Sequence, residues 1–148
     1  MKKISLKIDD GAIVALLALR LSLGWLIFYS GIIKIFDADW TAAGYLAGAK
    51  TFPALFQWFA LPANIGWVDF VNEWGLTLVG LALITGLFVR YASIAGIVFM
   101  VLYYLPILAF PYPNAHSFVV DEHVIYALVL SFFAFTDAGK VYGLDGRR

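Results

Sequence analysis

The sequence predicts an all-α integral membrane protein, a four-helix bundle with an interfacial or re-entrant helical segment between its first and second spans. Composition and patterning carry that prediction. Hydrophobic residues make up 63% of the 148 residues and charged residues 14%, with a mean hydropathy of +0.88. Soluble domains hold about 45–50% apolar and about 25% charged residues. The apolar residues gather in four runs, and most of the charges stand at or near the ends of those runs. Residues 1–148 make one membrane domain by length.

Composition also excludes chemistry. Net charge is zero and no basic patch stands out, so membrane lipid is an expected partner and nucleic acid is not. The absence of cysteine rules out disulfides, thiol–disulfide catalysis and cysteine-ligated iron–sulfur clusters within the chain.

Residues 1–10 form a polar, basic tail with Lys2, Lys3 and Lys7. A lysine doublet before an apolar run suggests a signal peptide, but Asp9, Asp10 and Arg20 interrupt the pattern. The apolar run is also too long for a signal segment, so it is expected to remain as the first span, residues 11–36. At about 1.5 Å per residue this run reaches roughly 39 Å, enough to cross a bilayer with tilt. Arg20, Gly24, Ile27, Gly31 and Lys34 recur every three or four positions and so share one face. Their small members invite close approach of another helix.

The connection around residues 40–70 is crowded with Trp40, Tyr45, Phe52, Phe56, Trp58, Phe59, Trp67 and Phe70, broken by Pro53 and Pro62. Aromatic residues at this density suit the headgroup region, which predicts short helices lying over the bundle. The same residues also have the flat apolar character of a quinone pocket, and both readings stand. The second span is expected at 73–88, where Gly75, Gly80 and Gly86 allow tight packing. The third is expected at 91–110, kinked near its end by Pro106. A short connection carries Pro111, Pro113, Asn114 and His116, and the fourth span is expected at 119–135.

Charge asymmetry orients these spans. With four crossings both termini share a side, and that side carries Lys2, Lys3, Lys7, Arg90, Lys140, Arg147 and Arg148 against only Lys34 and Lys50 opposite. The positive-inside rule places both termini in the cytoplasm of a multi-pass plasma-membrane protein. Lys34, Asp69, Glu73, both histidines and the Asp121-Glu122-His123 triplet then lie on the outer side.

Ionisable residues where a buried helix meets water are costly to desolvate and are often functional. Lys34 ends the first span, Glu73 opens the second and Asp121-Glu122-His123 opens the fourth, so a compact bundle can bring them together. The candidate proton-handling residues are His123, with Asp121 and Glu122 beside it. The candidate substrate- or quinone-binding residues are Lys34, with Glu73 as its anchor, and Trp74. The competing reading makes the same groups helix caps and interfacial ion pairs. His116 and His123 lack the HxxxH or ExxH spacing of helical metal sites, so no metal is predicted. Haem is not predicted either, since on one helix about 10 Å of rise would separate the two imidazoles. Arg20 is either a second polar site or a structural charge, paired with Asp137 or snorkelling.

The ordered set Arg20-Leu-Ser-Leu-Gly24, Gly31-Ile-Ile-Lys34, Glu73-Trp-Gly-Leu-Thr-Leu-Val-Gly80, Gly86-Leu-Phe-Val-Arg90 and Asp121-Glu122-His123 resembles the DoxX family, and within it the DoxD branch. The resemblance runs over roughly residues 12–145. It implies a four-helix membrane bundle and, for the DoxD branch, the large membrane subunit of a thiosulfate:quinone oxidoreductase. Such an enzyme passes electrons from thiosulfate to a quinone and works with a small second subunit, DoxA. Other members of the family act as accessory or assembly proteins. The expected function is therefore a membrane subunit of a quinone-linked oxidoreductase, with a non-catalytic accessory protein as the alternative. A channel or transporter ranks below both, because the bundle middle offers little charge apart from Arg20.

Overall fold

In the computed structural model, residues 10–147 are described; Lys2, Lys3, Lys7 and Arg148, which entered the orientation argument, lie outside them. The described residues form helices and turns with no strand: α1 (Asp10–Phe36), α2 (Ala43–Ala47), α3 (Pro53–Phe59), α4 (Ile65–Thr85), α5 (Val89–Ile107) and α6 (Glu122–Phe135). Two single 3-10 turns, Ala138–Lys140 and Leu144–Arg147, follow. The chain is thus an all-helical membrane protein. α1, α4 and α5 are each long and apolar enough to cross a bilayer. α6 has 14 residues, about 21 Å against a hydrocarbon core of about 30 Å.

The helices pack as two tight pairs, α1 on α4 and α5 on α6, joined through α4 and α5. The first pair depends on small residues. A Cβ at Gly80 would fall on the Phe28 backbone, and one at Gly31 would meet the backbone and hydroxyl of Thr77. Leu23, Ile27, Leu76, Leu83, Leu130 and Phe133 fill the shared centre. A second apolar cluster, Ala42, Leu46, Ala49 and Phe56, sits beneath α2 and α3, with Trp40, Phe59 and Leu105 against it. α2 and α3 therefore have a core of their own against the ends of α4 and α5.

Several expected boundaries move. The second span begins at Ile65, two turns before the expected start at residue 73, so residues 65–70 belong to α4 and not to an interfacial segment. Two polar side chains in these added turns have partners. Asp69 accepts the Ala42 N–H at 2.9 Å, and Asn72 meets Lys34 and Tyr103. The third span is Val89–Ile107, taking in Arg90. It stops near Pro106, whose carbonyl accepts the Lys50 N–H at 2.8 Å, while the Leu108 carbonyl accepts the Thr51 hydroxyl at 2.6 Å. The fourth helix starts at Glu122 and not at residue 119, because Val119 has φ +60° and Asp121 caps the first turn.

At the opposite end of the bundle, Arg20 is 1% exposed. It does not pair with Asp137, which binds Lys140 at 3.0 Å, nor does it snorkel. It donates to the carbonyls of Ala138, of Val141 at 2.8 Å and of Tyr142 at 3.5 Å. The ordered turn after α6 supplies acceptors closer than any carboxylate. Gly86 makes room for it: its φ is +70°, and a Cβ there would meet the Gly143 Cα and stand 3.3 Å from the guanidinium. Asp145 then accepts the Phe88 and Val89 N–H groups at 2.8 and 3.0 Å, capping α5 from a distant part of the chain.

Candidate functional site

The end of the bundle away from Arg20 holds Lys34, Asn72, Tyr103 and the Asp121-Glu122-His123 triplet. Lys34, in the last turn of α1, reaches across to α4 and α5. Its Nζ donates to Asn72 Oδ1 at 2.7 Å and to the Tyr103 hydroxyl at 2.9 Å, and that hydroxyl donates to Asn72 Oδ1 at 2.8 Å. The ammonium also lies 4.5 Å from the centre of the Trp40 ring, a cation–π distance. An ammonium only donates, and here its neighbours supply two oxygens and a ring face.

Two cavities flank this triad. The first, about 190 Å³, is aromatic and aliphatic, walled by Tyr45, Phe56, Phe59 and Trp67 from the connecting segment and α4, and by Phe99 and Tyr103 from α5. Asn72 is on its wall; Lys34 is not. The second, about 480 Å³, is lined by Ser30, Ile33, Lys34, Tyr103, Glu122, His123 and Tyr126 among others. Tyr103 belongs to both. Tyr45 donates its hydroxyl proton to the Tyr103 carbonyl; burial pushes its phenol up to about 12, so it keeps that proton at neutral pH.

His123 is held from two sides. Its ring stacks on Tyr103 with centroids 6.0 Å apart, and its Nδ1 lies 2.8 Å from Asp121 Oδ2. Asp121 is buried, and its Oδ1 accepts the His123 and Val124 N–H groups at 3.0 and 3.2 Å. A carboxylate can only accept, so Nδ1 carries the proton and Nε2 is left with a lone pair in the neutral ring. Asp121 is thus a helix cap and a positioning residue for His123.

The expected cluster forms in part. Lys34, Glu122 and His123 share a cavity, and Asp121 stands behind His123. Glu73 makes no ion pair with Lys34 among the described residues, because Asn72 and Tyr103 hold the ammonium instead. Trp74 faces outward, 43% exposed and tilted against Phe70, and lines neither cavity. His116 sits in an exposed turn with its backbone N–H on Asn114. Donor atoms of Asp121, Glu122 and His123 can come within 4.8 Å of one another, but a metal there would compete with the cap and with His123 for the Asp121 oxygens. Asn72 and Tyr103 were not singled out from sequence. Their signal is slight: an asparagine beside Glu73, and a tyrosine four residues from the helix end.

The chain matches the DoxX family over residues 15–108, well over half its length. It belongs to the DoxX family. The matched region holds Lys34, Asn72 and Tyr103, the polar triad between the cavities, and stops before Asp121, Glu122 and His123. The DoxX assignment supports a membrane protein of a kind often associated with quinone-linked oxidoreductases. No curated protein and no solved structure matches the chain.

Proposed function

We propose that this DoxX-family chain is a membrane subunit of a quinone-linked oxidoreductase, with its quinone in the aromatic cavity beneath α2 and α3. One observation carries the reading: an aromatic, apolar cavity and a second cavity that holds Lys34, Glu122 and His123 both have Tyr103 in their lining, with Asn72 on the first and Lys34 on the second. An isoprenoid quinone needs apolar walls for its ring and a few placed polar groups for its oxygens. Reduction to the quinol takes two electrons and two protons. His123, with Nδ1 held by Asp121, can pass a proton through Nε2, and Lys34 and Tyr103 stand between it and the aromatic cavity.

The DoxD resemblance gives this reading its finest form. Two thiosulfate ions would be joined through a new sulfur–sulfur bond to tetrathionate, releasing the two electrons that the quinone takes up. The polar cavity would face the outside of the plasma membrane, both termini would be cytoplasmic, and a DoxA-like small subunit would complete the enzyme. With no cysteine in the chain, electrons would pass directly between the bound partners or through that subunit.

The accessory reading has its own support. The bonds of Lys34 tie together α1, α4 and α5, which is what a purely structural lock would do. Menaquinone and ubiquinone binding to the protein in nanodiscs separates the two. Weaker binding by Lys34→Ala and His123→Ala, with melting temperatures near wild type, supports the quinone site. A well-folded wild type that binds neither quinone, with or without a partner subunit, leaves the accessory role as the answer.

A further inference from the structure

The orientation of one amide decides what the aromatic cavity recognises. The Lys34 ammonium can only donate, so the Asn72 atom 2.7 Å from it is the oxygen. The same oxygen accepts from Tyr103 at 2.8 Å, and that hydroxyl in turn accepts from Lys34 at 2.9 Å. Both lone pairs of Oδ1 are thereby used, and flipping the amide would set its N–H groups against an ammonium. The Nδ2 donors have no hydrogen bond to any described residue.

Other polar atoms on the cavity wall are differently placed. The Tyr45 and Tyr103 hydroxyl protons are spent on the Tyr103 carbonyl and on Asn72. Trp67 also lines the cavity and is 49% exposed. Asn72 therefore offers donors at the cavity wall with its own acceptor already saturated.

We propose that Asn72 is the recognition residue of the aromatic cavity, and that its amide N–H group selects a flat ring bearing an oxygen acceptor over the same ring without one. This rests on the quinone reading above and deepens it by naming the residue that reads the ring oxygen. A site built around a hydrogen bond rejects an analogue that cannot make it. A quinol hydroxyl also presents an oxygen lone pair to Asn72, so the discrimination is against rings without oxygen.

The test is calorimetric titration of the full chain in nanodiscs with menadione and with 2-methylnaphthalene, which has the ring and no oxygens. Wild type should bind menadione about five- to tenfold more tightly than 2-methylnaphthalene, the range one neutral hydrogen bond supplies. Asn72→Asp keeps both accepted bonds but has an ionised carboxylate with nothing to donate. It should lose that margin for menadione and leave 2-methylnaphthalene binding unchanged. Equal wild-type affinity for menadione and 2-methylnaphthalene overturns the proposal without any variant. A folded Asn72→Asp protein that keeps the full preference overturns it too, and in both cases the quinone site itself survives. Failure of folded wild type to bind menadione removes the quinone reading and this proposal together.

Discussion

Lys34 shows how far a single residue's neighbours redirect its role. An ammonium at a helix end beside Glu73 invites an ion pair, yet two neutral oxygens and the Trp40 ring take it instead. Neutral partners keep the charge available for a ligand in the polar cavity, where a carboxylate would cancel it. Tyr103→Phe is expected to keep the stacking on His123 while removing both hydroxyl bonds, costing about 1–2 kcal/mol. Chemical unfolding in detergent measures that cost, and quinone titration of the same variant should show weaker binding. Asp121 can be split into its two duties. Asp121→Asn retains the α6 cap and should stay within about 0.5 kcal/mol of wild type, whereas Asp121→Ala should lose about 1–2 kcal/mol. On the proposed function, both should slow quinol formation in the reconstituted protein, because neither gives the His123 Nδ1–H a carboxylate. If Asp121→Asn reacts at the wild-type rate, Asp121 is a cap and nothing more.

Among elements, the α1–α4 pair sets the positions of Lys34 and Asn72. The pair closes because Gly31 and Gly80 let two backbones approach, a packing route that needs no polar contact in lipid. Gly80→Val would place its side chain on the Phe28 backbone, which cannot yield without parting the helices. A loss of about 3 kcal/mol or failure to fold is expected, read from unfolding in detergent, and the loss of quinone binding should follow the loss of fold. The glycines, the four apolar runs and the aromatic connection were all visible in the sequence, because hydropathy and small-residue spacing are local properties of the chain. The start of α4 was not visible. Asp69 and Asn72 stand before the expected start of the span at Glu73, and only the tertiary structure gives them Ala42, Lys34 and Tyr103 as partners.

For the whole molecule, the two ends do different work. One end holds the two cavities beside Lys34 and Tyr103, and the other is fastened by Arg20 and Asp145 to the segment after α6. Arg20→Met would strand the Ala138 and Val141 carbonyls, which buried acceptors make costly at about 3 kcal/mol. Limited proteolysis should then cut the segment after Thr136 faster than in wild type, with quinone affinity at the far end retained. The absence of cysteine makes topology testable with single replacements. Lys140→Cys should be labelled from the cytoplasmic side and Lys50→Cys from outside; the reverse pattern would overturn the orientation and move the polar cavity to the cytoplasm.

The sequence alone determined an all-helical membrane protein and the location of its apolar runs. Those follow from solvation: residues that cannot remain in water or in lipid declare their place one by one. Only the tertiary structure decided which charges have which partners. Lys34 chose Asn72 and Tyr103 over Glu73, Arg20 chose backbone carbonyls over Asp137, and Trp74 faced away from the site. Such choices depend on distances between helices far apart in sequence, where a hydrogen bond of 2.7–2.9 Å is available to one neighbour and denied to the next.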